Sequence, residues 1–105
     1  MLRIYDDMLD AVRTMRPMLA AIEKRDPDLS RQLRRAASSV VLNLAEGSGS
    51  LGRVRTVRYR TALGSARETI ACLRVAEAFG YVHAMPAALV DAMNRVLGTL
   101  VRVAA

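Results

Sequence analysis

The chain has 105 residues, 52% of them apolar and 25% charged, with a formal net charge of +6. That is the length of one domain, expected to span residues 1–105, and its core is modest: a chain this short buries about 60–70% of the surface it exposes unfolded, so self-association would help it. The apolar residues never run to the roughly 18 in a row of a membrane span, and the basic excess points to a polyanion as partner.

The order Met1-Leu2-Arg3-Ile4-Tyr5-Asp6-Asp7 lacks the basic-then-apolar arrangement of a secretory signal. The single cysteine, Cys72, cannot form an internal disulfide. A cytoplasmic location is expected. Every basic side chain but Lys24 is an arginine. A GC-rich coding sequence gives the same bias, so where the arginines stand says more than how many there are.

The first helix is expected over residues 3–25. Ile4, Met8, Ala11, Met15, Leu19 and Ile22 recur at three- and four-residue steps, the period of a helix with one apolar face. Asp6, Asp7 and Asp10 open it and Lys24 and Arg25 close it, the polarity a helix dipole favours. Pro17 removes a backbone donor and opposes the carbonyl of Arg13, which predicts a kink or a loosened turn. Asp26 then reads as an N-cap with Pro27 at the first helical position.

The second helix is expected over 27–46, with Leu29, Leu33, Ala36, Ala37, Val40 and Leu44 facing inward. Gly47, Gly49 and Gly52 follow within six residues and predict a C-cap and a mobile turn. The third helix is expected over 53–79. Tyr59, Ala62, Ala66, Ile70 and Leu73 form its apolar face, Ala76 and Phe79 continue it, and Gly80 caps it. The fourth is expected over 86–103 on the repeat of Leu89, Met93, Val96, Leu97 and Leu100. No strand pattern competes. Four helices with short connections imply an all-α, antiparallel up-down-up-down bundle.

One stretch is distinctive. Gln32-Leu33-Arg34-Arg35-Ala36, Ser39 and Asn43-Leu44-Ala45-Glu46-Gly47 are followed by Ala62-Leu63-Gly64-Ser65 with Glu68, and by Gly80-Tyr81-Val82. On these residues the chain resembles the bacterial four-helix-bundle family first noted as reading frames inside intervening sequences of 23S ribosomal RNA genes. The resemblance covers nearly the whole chain. It implies a ring-like homo-oligomer, with a pentamer as the expected form, and no known enzymatic activity; no cofactor is expected. More distantly similar bundles are accessory subunits of retroelement reverse transcriptases, where basic pentamers contact RNA and the polymerase. This chain differs from that group in carrying the Asn-x-Ala-Glu-Gly segment. A reverse transcriptase is thus a partner suggested by analogy of fold.

Two polar stripes flank the core. Gln32, Ser39, Asn43 and Glu46 fall within about 60° on the second helix, and Thr61, Ser65, Glu68 and Cys72 do so on the third. They form either a small-ligand pocket between helices or a hydrogen-bond network that sets helix register. The network reading groups Gln32, Ser39, Asn43, Glu46, Ser65 and Glu68, with Arg34 or Arg35 supplying donors. No base–nucleophile pair is visible, and His83, the only histidine, stands in a turn. No metal site is expected; Glu46 and Glu68 are the pair that would share a hard cation.

The third helix carries Arg53, Arg60, Arg67 and Arg74 at seven-residue spacing, about 10.5 Å apart along one stripe. Arg55 and Arg58 add charge near its start. From Arg53 to Arg74 the one acid is Glu68. The six arginines suit phosphate tracking, since a guanidinium pairs with phosphate as a two-pronged fork. They equally suit a subunit contact with Asp6, Asp7 and Asp10 of a neighbouring chain, or a hydrated face. Aromatic residues are few and no stacking platform is expected, so any nucleic-acid binding is backbone-driven. Leu42 lies on a basic side of its helix, and with Leu9 and Leu63 it forms the expected oligomer interface.

The sequence therefore points to a non-enzymatic, homo-oligomeric basic bundle that binds structured RNA or DNA. A scaffold for a protein partner is the second reading. An enzyme built on Asn43, Glu46, Ser65 and Glu68 is a third, with no reactive pair behind it.

Overall fold

Apolar residues at helical spacing need partners for their inward faces, and four such faces close on one another. The computed structural model describes residues 3–105 and places them in four helices: α1 (Arg3–Arg25), α2 (Pro27–Ser48), α3 (Gly52–Ala78) and α4 (Ala87–Val103). Both α1 and α3 pack against α2 and α4, so the helices occupy the corners of a square, and the α2–α3 pairing is the most extensive. The described chain is an all-α four-helix bundle measuring 42 × 25 × 19 Å.

The core follows the expected periods closely. Met8, Met15, Ile22, Leu33, Val40, Leu44, Leu73, Leu89, Val96 and Leu100 are fully buried. Asp26 caps α2: its Oδ1 accepts the Leu29 amide at 3.0 Å, with Pro27 next in the chain. This satisfies a donor that has no partner within the helix.

α1 continues through Pro17 as one helix. Pro17 and Arg13 are both exposed, so the Arg13 carbonyl that the ring deprives of a donor can take one from water.

Phe79 does not point inward; it is exposed. α3 ends before it, and Gly80 takes a left-handed φ of +76°. The Gly80 amide donates to the Glu77 carbonyl at 3.0 Å and the Tyr81 amide to Ala76 at 2.9 Å. This glycine-stopped turn sends Tyr81 in against the core and leaves Phe79 outside.

Gly47 does not stop α2. The helix continues to Ser48, and Gly49 forms the cap with a φ of −89°. Gly47 is buried for a different reason. A Cβ there would stand 2.7 Å from Cδ1 of Tyr59 and closer still to Cε1. The Tyr59 ring belongs to α3 and is buried in the core, so it has little room to withdraw. Gly47 is the point where α2 lets a ring of α3 lie against its backbone.

This assignment has a sign. Helix propensity alone would make Gly47→Ala stabilising by about 1 kcal/mol. Overpacking against Tyr59 makes it destabilising, by about 1–3 kcal/mol. Urea denaturation of the two proteins decides between them, with a lower midpoint expected for the alanine variant.

Candidate nucleic-acid interface

The two polar stripes meet because α2 and α3 are antiparallel neighbours. Ser39 Oγ and Ser65 Oγ lie 2.7 Å apart across the seam. Asn43 Nδ2 donates to the Ser39 carbonyl at 2.9 Å and lies 3.2 Å from Ser39 Oγ. Thr69, fully buried, donates its hydroxyl to the Ser65 carbonyl at 2.8 Å. The two serine hydroxyls thus share a proton bond with each other, and neither is held by a base.

The expected six-residue network contracts to Ser39, Asn43 and Ser65. Gln32 and Glu68 are exposed and make no side-chain hydrogen bond among the described residues. Glu46 is exposed too, and its partner is Arg58, at 3.0 Å, rather than Arg34 or Arg35. Serines are short enough to meet across the gap between two helices. Longer polar side chains at the ends of the stripe reach water, which avoids the cost of burying them unpaired.

Cys72 closes the inner side of this stripe and is buried. Burial pushes its thiol above the ordinary value of 9.0, and the Glu68 carboxylate beside it adds to the shift.

The arginines divide into engaged and unengaged. Arg55 turns back to the end of α2, where its Nε donates to the Ser50 carbonyl at 2.8 Å and the Gly47 carbonyl at 3.3 Å. The Gly47 carbonyl, in the last turn of α2, also accepts the Ser50 amide at 3.2 Å, and the Ser50 carbonyl lies just past the helix, so the guanidinium adds a donor where the helical ladder has ended. Arg58 is paired with Glu46. Arg60 Nε donates to the Ala104 carbonyl at 3.1 Å, just past the end of α4. Arg53, Arg67 and Arg74 are exposed and make no hydrogen bond or ion pair among the described residues. Arg74 has Glu77 one turn on, yet the two are not joined. Half of the expected set is therefore tied to the bundle, and half is available.

The stripe also lies to one side. Arg60 reaches the end of α4, and Arg74 lines a groove against Val90 and Asn94 of α4. Arg58 leans the other way, toward α2. There it joins Arg34 and Arg35 around a surface groove of about 520 Å³ with Ser38 and Leu42. Arg34 and Arg35 are exposed and stand outside the expected binding set. The signal for them was present: Leu42 shares its flank of α2 with Arg35, seven residues earlier.

The acidic partners expected for a neighbouring chain are mostly in use. Asp7 lies 3.4 Å from Arg95 of α4, and Asp10 lies 2.7 Å from Arg13. Asp6 remains exposed. The expected three-leucine patch is not formed either. Leu42 is 62% exposed. Leu63 is half-buried against the core. It precedes Ser65 by two residues, or about 200° around α3, so it sits on the flank away from α2. Leu9 is half-buried on α1, diagonal to α3.

Among the described residues no three His, Cys, Asp or Glu side chains gather as a metal-ligating group. Among the described residues no helix is long and apolar enough to cross a membrane.

The chain matches the model of the family described as 23S rRNA-intervening sequence protein over residues 2–101. Its fold is similar to the crystal structure of a protein of unknown function of the S23 ribosomal protein family from Bacteroides thetaiotaomicron. The TM-score is 0.80 at 19% identity, covering 96% of this chain and 97% of that one. No curated protein matches the chain.

The raised Cys72 thiol gives a pH test. The folded state keeps it protonated, so its contribution to stability is complete below pH 9, where the unfolded thiol is protonated too. That contribution is lost progressively as pH rises from 9 toward the folded value. Stability measured by urea unfolding should fall over that range in the natural chain and fall less in Cys72→Ala. In the folded protein at pH 8, a thiol reagent should label Cys72 only as fast as the chain opens.

Proposed function

The chain belongs to the 23S rRNA-intervening sequence protein family, and we propose that it is a non-enzymatic, homo-oligomeric basic bundle that binds the backbone of structured RNA or DNA. The observation that carries this reading is the set of exposed, unengaged arginines on the outer side of α3: Arg53, Arg67 and Arg74. Each guanidinium offers donors that no group among the described residues uses, on a chain of net charge +6. Phosphates that pair with them release condensed counterions, which drives binding without reading sequence. Arg34 and Arg35, with Arg58, line a second basic groove on the α2 side.

The non-enzymatic reading is supported by the seam itself. Ser39 and Ser65 bond to each other, so neither hydroxyl has the adjacent base that would make it a nucleophile. The homo-oligomeric reading, with the pentamer that the family resemblance implies, is supported by the exposed Leu42, which shares a surface groove with Arg34, Arg35 and Arg58. The same residue favours the second reading, a scaffold for a protein partner that leaves nucleic acid unbound. An accessory role beside a reverse transcriptase is compatible with either.

Binding of mixed RNA and DNA at several salt concentrations tests the proposal. The natural chain should bind, with affinity falling steeply as salt rises. An Arg53→Ala, Arg67→Ala, Arg74→Ala protein should bind about ten-fold or more weaker at low salt, and its salt slope should be shallower by roughly 2–3, one phosphate per arginine. No binding at low salt, or equal binding by both proteins, overturns it. Light scattering on the natural chain reads the oligomer in the same experiment, and a monomeric mass contradicts that part of the proposal.

A further inference from the structure

The end of the bundle opposite the α2–α3 turn carries an arrangement that the arginine stripe does not use. Phe79 is 66% exposed, the most exposed aromatic residue of the described chain. Its ring is stacked on Tyr81 at a centroid distance of 5.4 Å and an interplanar angle of 13°. The guanidinium of Arg25, at the end of α1, lies 5.6 Å from the centre of the Tyr81 ring. The backbone beneath is fixed by the Gly80 turn and its hydrogen bonds to Glu77 and Ala76. Tyr81 is further held by its packing against the core.

A large apolar ring left in water costs free energy, and a local stack covers only one of its faces. The stack leaves the other face of Phe79 open, and Arg25 sets a positive charge against the Tyr81 ring of the same stack. A flat π surface beside positive charge is complementary to a flat π surface on a negatively charged chain. An unpaired nucleobase has that chemistry: its face stacks on an aromatic ring while cations take its phosphates. A base inside a duplex does not, because its faces are already covered.

We propose that Phe79, backed by Tyr81 and flanked by Arg25, is a stacking site for an unpaired base of a single-stranded segment. The proposal rests on the nucleic-acid reading above and adds to it a part that distinguishes strands. The arginines of α3 hold backbone in any strand form, whereas the Phe79 site holds only a base that is free to stack. The ordering entropy is low, since the turn sets the ring before any ligand arrives.

The chain contains no tryptophan, so Phe79→Trp installs a single fluorescent reporter at the site. A single-stranded RNA 12-mer, the corresponding DNA, an abasic oligonucleotide of equal length and a duplex of the same sequence serve as probes. The RNA or DNA single strand should quench the indole, and the abasic strand and duplex should not. Phe79→Ala should weaken single-strand binding roughly ten-fold and leave duplex binding unchanged. Because the side chain is exposed, that variant should retain its fold, which circular dichroism checks. If single strands bind but neither quench nor depend on Phe79, the stacking site is overturned and the arginine surface stands. If no nucleic acid binds at low salt, both fail.

Discussion

The seam between α2 and α3 constrains the rest of the bundle. At its lower end the Tyr59 ring lies against the α2 backbone where Gly47 has no side chain. Eight residues back along α2, Ser39 meets Ser65 at 2.7 Å. The first contact fixes how closely the helices approach, and the second fixes their register. A slip of one residue along α3 would turn Ser65 by about 100° and leave Ser39 without its partner. Both contacts need small groups at matched positions. That is why a glycine and two serines stand in a seam where larger apolar residues would bury more area. Arg55 ties off the same seam by reaching the carbonyls at the end of α2.

Once that pair is locked, the placement of charge follows. Arg58 falls on the α2 side of α3 and Arg60 on the α4 side. The arginines left over, Arg53, Arg67 and Arg74, point outward from a rigid pair of helices. The helix pair fixes where these side chains leave the backbone, so their spacing along α3 is set before a phosphate arrives, while each free side chain still loses rotamer freedom on binding. Structure and proposed function are thus joined through the register of two helices. Of the residues most distinctive in the sequence, Ser39 and Gly47 act on the arginine row by setting where α3 lies.

Much of the fold was legible in the residues. Amphipathic periods are local, so the helices and most of the core could be read directly, and Asp26-Pro27 marked the start of α2 through a cap that acts within three residues. The features that escaped are long-range or belong to the backbone. Gly47 read as a stop because glycine often ends helices; its actual neighbour, Tyr59, is twelve residues away on another helix. Phe79 read as core because it continued the period of α3, but the turn at Gly80 ends that period one residue earlier. The same turn made a stacked aromatic pair that four scattered aromatic residues did not suggest. The arginine stripe read as six equivalent charges. Two of them are held by main-chain carbonyls, Arg55 at the end of α2 and Arg60 at Ala104, and carbonyls at helix ends leave no mark in a pattern of side-chain charge.

The division of the arginines is the part of this account that links seam to function, and the guanidinium Nε–H signals observe it directly by NMR. Titrated with a short RNA at low salt, the signals of Arg53, Arg67 and Arg74 should shift together. Those of Arg55 and Arg60, already donated to Ser50 and Ala104, should stay in place. Uniform shifts across all five, or none at Arg53, Arg67 and Arg74, would contradict the account.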